Sequence, residues 1–352
     1  MMRLAAGCLM ILLGVAPAAI AQTQVQPTVN RPDYAGTLSL TIENDVFGGT
    51  DRYYSNGFLI AWQSPTAFLP APISWVDRQL DAAFGPADLR WGLSFGQNIF
   101  TPQETQRRTP DPRDRPYAGY LYGAATLVRT ADAALPWEGG GRRYGSQTLF
   151  ELQLGVVGPS ALGEFVQNNW HDLLRIRNAE GWDRQLKDEF AATALVERRW
   201  RLPLGQVAGL ETEVIPVLSA AVGNVQTYAA GGAMFRIGDG LRRDWGPVRI
   251  RPALAGSGFV SPERTQPNDH FGWYVFAGLE GRAVARDIFL DGNTWRDGPR
   301  VDKRIFVGDM QLGAAVVWGD WRVAYTQVYR TEEFYGQRGR QSFGSFSVSY
   351  RF

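Results

Sequence analysis

The chain has one cysteine in 352 residues, Cys8, and only two histidines, His171 and His270. Cys8 lies inside an N-terminal apolar run, so the rest of the chain holds no thiol. Disulfide frameworks, cysteine metal sites and thiol nucleophiles are thereby excluded. Charge of one sign is also missing: Lys and Arg total 36 against 35 Asp and Glu, which gives a nucleic acid no electrostatic footprint. After residue 21 no stretch is apolar over the roughly 20 residues that a spanning helix needs, so membrane insertion must come through strands or not at all. Linkers, low-complexity tracts and internal repeats are absent, which favours a single large architecture. No Gly-x-Ser-x-Gly elbow occurs, and a serine nucleophile has no support.

What is present begins with a leader. Residues 1–21 open on Met-Met-Arg, run through an apolar stretch from Leu4 to Val15 and end on Ala19-Ile20-Ala21. This is the layout of a secretory signal, so an exported chain starting at Gln22 is expected. Residues 22–36 then form an N-terminal periplasmic segment and 37–352 the body. The apolar run is too short for an uncleaved anchor.

From Leu38 the residues alternate, with Leu38, Leu40 and Ile42 on one face and Ser39, Thr41, Glu43 and Asp45 on the other. Such a period of two marks a strand with one apolar and one polar side. The pattern returns at Tyr54-Phe58-Ile60-Trp62, Trp91-Leu93-Phe95, Phe150-Leu152-Leu154-Val156 and Leu312-Ala314-Val316-Trp318. A soluble β-sandwich has the same periodicity. Aromatics at the ends of the runs, abundant glycine and a last strand in which Phe346, Val348, Tyr350 and Phe352 alternate with serines favour a transmembrane barrel. Thirteen candidate strands can be drawn, but bacterial single-chain barrels have an even number. The weakest is 247–258, which Arg249, Arg251 and Pro252 interrupt. Without it the expectation is an all-β, 12-stranded antiparallel outer-membrane barrel with 238–270 as a long periplasmic connection.

Three polar segments fall in loops that this count makes extracellular. Glu43-Asn44-Asp45 precedes Tyr54-Ser55-Asn56-Gly57, and strand parity turns Asp45 and Ser55 inward near the rim. An oxygen-rich cluster suits calcium, while a hairpin whose Asn, Asp and Gly satisfy turn geometry reads equally from spacing. Thr101–Tyr117 carries Arg107, Arg108, Arg113 and Arg115, either a grip for anionic headgroups or a solvated loop balanced by Asp111 and Asp114. In 158–188, Phe165, Val166, Asn169, Trp170, Leu173 and Leu174 recur at helical spacing, which predicts a short helix in an extracellular loop. Gln167 and His171 share one face of it, and His171 is a candidate base or simply a hydrogen-bonding residue.

Asn44-Asp45, Tyr54-Ser55-Asn56-Gly57, Thr101-Pro102 with Arg107-Arg108, Gly158-Pro159 with Gln167 and His171, and Gly181-Trp182-Asp183-Arg184-Gln185-Leu186 follow one another in order. In that order and spacing the chain resembles the lipid A 3′-O-deacylase family of the LpxR type. The resemblance implies a calcium-dependent hydrolase acting on lipid A of lipopolysaccharide in the outer membrane, working as a monomer. It further implies His171 as general base, Gln167 orienting or assisting it, Asn44 and Asp45 in the metal and oxyanion region, Ser55 where relatives have Thr or Ser, and Arg107 and Arg108 at the substrate phosphates. A channel or a structural barrel without catalytic activity is the alternative.

Overall fold

A computed structural model describes residues 33–49, 52–139, 141–175, 177–253, 255 and 271–352. The expected leader, and most of the segment after it, lie outside the described residues. The strands are β1 (Thr37–Asn44), β2 (Tyr53–Gln63), β3 (Asp88–Thr101), β4 (Ala118–Ala134), β5 (Arg143–Val157), β6 (Glu189–Trp200), β7 (Leu202–Val207) and β8 (Leu210–Gly223). They continue with β9 (Gln226–Asp239), β10 (Phe271–Asp287), β11 (Phe306–Trp318), β12 (Trp321–Arg330) and β13 (Gln341–Arg351). Helices α1 (Ala71–Phe84), α2 (Gly163–Leu174) and the short α3 (Ile288–Asp291) complete the set.

Twelve of these strands close an antiparallel barrel, because β1 pairs with β13 and β6 pairs directly with β8. The thirteenth, β7, only extends the start of β8 as a hairpin. Alternation in the sequence becomes alternation across the wall. Leu38, Leu40, Leu93, Phe95, Leu152, Leu154 and Leu279 are exposed on the outside, as a wall facing lipid requires, while Ser39, Thr41 and Glu43 are buried inside. Inward glycines let tyrosines lie flat on the wall: a Cβ on Gly96 would stand 2.6 Å from the Tyr122 ring, and one on Gly57 would stand 1.9 Å from the Tyr54 hydroxyl. The start of β1 and the end of β13 meet at the periplasmic rim, where Gly36 and Phe352 exchange backbone hydrogen bonds of 2.9 and 3.0 Å.

One expectation is corrected here. The connection after β9 does not simply hang below the rim, because its described part, 240–253, enters the lumen. Arg249 donates to Glu43 at 3.1 Å and to Gln311 at 3.0 Å, Arg251 pairs with Glu197, and Ile250 packs among Tyr54, Leu59, Phe100 and Tyr120. Lower down, Asp244 accepts from Tyr274 at 2.6 Å, from Arg322 at 2.9 Å and from Arg236. A charge in this interior is tolerated only with partners, and strand and plug supply one another's. Among the described residues 247–253 form no strand, and Arg249 and Arg251 interrupt the alternation because they face a lumen rather than water.

Asp244 is the acceptor on which three buried side chains converge, so Asp244→Ala leaves Arg236 and Arg322 facing each other without it. Removing one partner of such a group costs about 3–5 kcal/mol. The urea midpoint of the barrel in detergent, followed by tryptophan fluorescence, is expected to fall accordingly. An unchanged midpoint would mean that the plug does not hold the wall.

Candidate functional site

The helix α2 forms because 163–174 runs without proline or β-branched crowding, after a turn in which Leu162 adopts a left-handed conformation, φ 59°. It seats on the outside of the wall. Ile99 of β3 and Gly119 of β4 are paired neighbours with outward parity, and the helix closes over them. Gly163 approaches so closely that a Cβ there would stand 3.1 Å from the Cα of Gly119. Val166, Ala179, Tyr117 and Trp182 pack around the fully buried Ile99, and Gln97 donates to the Ala161 carbonyl at 2.6 Å. Gln167 and His171 are both buried on the side toward the wall, whereas Phe165 and Leu173 are 64 % and 72 % exposed on the far side.

Each polar group is held in one orientation. His171 Nδ1 lies 2.9 Å from the Arg177 carbonyl oxygen. A carbonyl only accepts, so Nδ1 is the donor, and in the neutral ring the lone pair then falls on Nε2. Trp182 donates its indole N–H to Gln167 Oε1 at 3.0 Å, which fixes the amide with its nitrogen turned away. That nitrogen is buried and has no hydrogen-bond partner among the described residues. Trp182 was legible only as part of a motif, since nothing in spacing links residues 15 apart through a loop.

Asn44 pairs across the wall with Asn56, and Asn56 with Ile99. Asn44 therefore shares a transverse row with the floor beneath α2, two strands or about 10 Å away. Its Oδ1 caps the following turn by accepting from Val46 N at 2.8 Å, and Asp45 accepts from Arg52 N at 2.5 Å. Ser55 corrects a second expectation. A bulge between Tyr54 and Asn56 makes it the extra residue, and its hydroxyl meets that of Thr101 at 2.6 Å. Thr101 has the parity of Gln97 and Ile99, so Ser55 belongs to the outer face beside α2, not to the lumen; one inserted residue reverses the parity count.

Arg107 and Arg108 stand apart at the exposed rim, paired with Glu104 at 3.3 Å and Glu180 at 3.4 Å. Their loop is nevertheless tied to the helix. Gln106 Nε2 donates at 3.3 Å to the same Arg177 carbonyl that meets His171, and Glu180 N donates to the Thr105 carbonyl at 2.9 Å. Within the loop Arg113, through its guanidinium and its backbone N–H, pulls the Asp111 carboxyl down to about 2. Burial pushes the Asp114 carboxyl up, against the backbone N–H groups of Gln103 and Arg115. Below it, the buried Arg115 donates to Glu333 at 3.1 Å. Burial alone would raise Glu333, but Arg330 and Arg115 outweigh it and hold its carboxyl below the ordinary range.

The family model described as outer membrane protein LpxR matches residues 4–352. The chain belongs to the LpxR family of outer-membrane proteins. A solved structure titled LpxR from Salmonella typhimurium superposes with a TM-score of 0.67 at 19 % identity, covering 89 % of this chain and 99 % of that one. At that identity the likeness is one of fold, and it extends to the closed 12-stranded barrel. The β domain of the Bordetella autotransporter BrkA follows at a TM-score of 0.42 and 11 % identity, covering 92 % of this chain and all of that one (100 %). No curated protein matches. Family and barrel together put this LpxR-family chain in the outer membrane.

The Glu333 carboxylate makes a test of how the arginine loop is held. A depressed carboxyl stabilises the fold above its unfolded value, about 4.3, and that contribution is lost as pH falls through the folded value. At pH 8 it is fully present, so Glu333→Gln is expected to raise tryptic cleavage at Arg107, Arg108 or Arg113 several-fold while the barrel stays folded. Equal cleavage in both proteins would mean that the loop is held by its other contacts.

Proposed function

We propose that this chain is a calcium-dependent lipid A 3′-O-deacylase, an ester hydrolase that removes the 3′-linked acyloxyacyl chain from lipopolysaccharide in the outer leaflet. The observation that carries the reading is the placement of α2. A helix outside the barrel, with Phe165 and Leu173 exposed on its far side and a buried His and Gln held toward the wall, suits a substrate that stays in the membrane.

In this mechanism His171 Nε2 takes a proton from water, which attacks the ester carbonyl carbon. The developing oxyanion receives the Gln167 Nε2–H, a donor without a partner among the described residues. The tetrahedral species then collapses, His171 returns its proton to the departing 3′-oxygen, and a free fatty acid and a 3′-hydroxyl result. Trp182 contributes by keeping the Gln167 amide the right way round. Arg107 and Arg108 meet the phosphates: exposed pairs such as theirs are worth about 0–1 kcal/mol, so the guanidiniums can exchange Glu104 and Glu180 for phosphate oxygens.

The donors at Asn44, Asp45 and Ser55 are all oxygens, the type a hard cation takes. Among the described residues no three His, Cys, Asp or Glu side chains gather. Asp45 would therefore be the carboxylate ligand, with Asn44 and further neutral oxygens beside it, as in sites that a calcium ion completes with water. Bound there, calcium would supply positive charge for the ester oxygen.

The alternative, a channel, is disfavoured by the arginines and Ile250 that fill the lumen. The deciding experiment expresses wild type and His171→Ala in a host with hexa-acylated lipid A and compares lipid masses. Loss of the 3′-acyloxyacyl mass with wild type alone is expected; identical lipid A from properly inserted samples would return the reading to a structural barrel. In purified enzyme, Trp182→Phe keeps an aromatic side chain but deletes the N–H together with part of the indole. It is expected to lower kcat by 10-fold or more with KM nearly unchanged and the barrel still folded, and strong chelation should abolish turnover. Activity that survives a strong calcium chelator removes the calcium part of the proposal and leaves the hydrolase.

A further inference from the structure

His171 is oriented by an acceptor that lies beyond its own helix. α2 ends at Leu174, and Arg175 turns the chain back in a left-handed conformation, φ 58°. The Arg177 carbonyl that meets His171 Nδ1 at 2.9 Å therefore stands in irregular backbone. A carbonyl outside helix and sheet is placed by the bonds that its segment makes with its surroundings. Two of these come from α2: Asn178 Nδ2 donates to Asp172 Oδ1 at 3.0 Å, and Ala179 N donates to Asn168 Oδ1 at 3.1 Å. Others come from the arginine loop.

Gln106 makes the most direct of them. Its Nε2 donates to the Arg177 carbonyl at 3.3 Å and to the Asn178 carbonyl at 3.1 Å. Both partners only accept, so a single orientation of the amide satisfies them. Beside it the Thr105 carbonyl, which also takes the Tyr117 hydroxyl at 2.9 Å, accepts from Glu180 N at 2.9 Å. The two segments touch without a gap, since a Cβ on Gly181 would stand 2.9 Å from the Arg107 carbonyl oxygen.

Arg107 and Arg108 follow Gln106 directly in the chain. Arg108 adds a charged link to Glu180 at 3.4 Å, but that pair is exposed and is the one a phosphate displaces. The uncharged bonds of Thr105 and Gln106 survive the exchange. They leave the loop that grips an anion still fastened to the backbone that orients His171.

We propose that Gln106 is a positioning residue, which carries the grip of Arg107 and Arg108 on substrate phosphates to His171. This rests on the deacylase reading. Phosphates held at 107–108 fix the loop, Gln106 fixes the Arg177 carbonyl, and that carbonyl keeps the His171 proton on Nδ1. Binding of a remote part of the substrate is thereby used to orient the base, and it raises kcat as well as lowering KM. The substrate so selected is lipid A that carries its glucosamine phosphates.

Gln106 is exposed, so Gln106→Met, similar in length but without a donor, is expected to leave the barrel folded, which heat-modifiable gel migration verifies. The chain has only two histidines, and in ¹⁵N-histidine spectra of the whole protein in micelles the signal missing from His171→Ala identifies His171. Above its titration, wild-type His171 is expected to hold the Nδ1–H tautomer alone and Gln106→Met to populate both tautomers. An unchanged tautomer in Gln106→Met overturns the proposal. Turnover gives a second reading, on lipid A with its phosphates and on the same lipid A with them removed. Wild-type kcat is expected to fall by about 10-fold on losing the phosphates. Gln106→Met should turn over both lipids at one low kcat, while its KM still favours the phosphorylated form. A variant that keeps the wild-type ratio of kcat values overturns the proposal as well. Wild type that cleaves neither lipid sinks the deacylase reading instead, and the tautomer still decides whether Gln106 holds His171.

Discussion

Inside hydrocarbon no water is available to a backbone N–H or carbonyl, so a wall of strands is stable there only if its two edges find each other. In this chain β6 and β8 supply one junction, bypassing the short β7, and β1 and β13 supply the other. Every other feature follows from that closure. It divides each strand into a lipid face and a lumen face, gives polar residues somewhere to go, and provides the stiff outer surface against which α2 can be held.

Closure also creates a problem of its own. Strand positions such as Glu43, Glu197 and Arg322 deliver charge to a buried interior. The segment 240–253 answers it by carrying Asp244, Arg249 and Arg251 to those partners. Buried pairs of this kind add little net stability over apolar packing, yet removing one member is costly. Their effect is to hold wall and plug in a single arrangement, and so to keep the strands under α2 from shifting.

The strands were legible because a wall with lipid on one side forces a period of two, and that period survives in Leu38-Leu40-Ile42 or Val316-Trp318 without any knowledge of partners. The pairing of Gln167 with His171 was legible for the same reason, since four residues make one helical turn. What was not legible depends on contacts distant in sequence. Arg249 and Arg251 look like breaks in a strand until Glu43 and Glu197 are seen to meet them. The bulge at Ser55 leaves no mark in composition, and the Trp182 bond to Gln167 crosses a loop. The helix α1 was not legible either, because Ile73, Val76, Leu80 and Phe84 are a single short run that packs against no core.

The placement of α2 outside a filled barrel has a kinetic consequence for a lipid substrate. Such a molecule reaches the helix by lateral diffusion within its own leaflet, never by crossing bulk water. Saturation is then governed by the mole fraction of substrate among neighbouring lipids, and diluting the membrane in buffer leaves the rate alone while diluting the substrate with inert lipid lowers it.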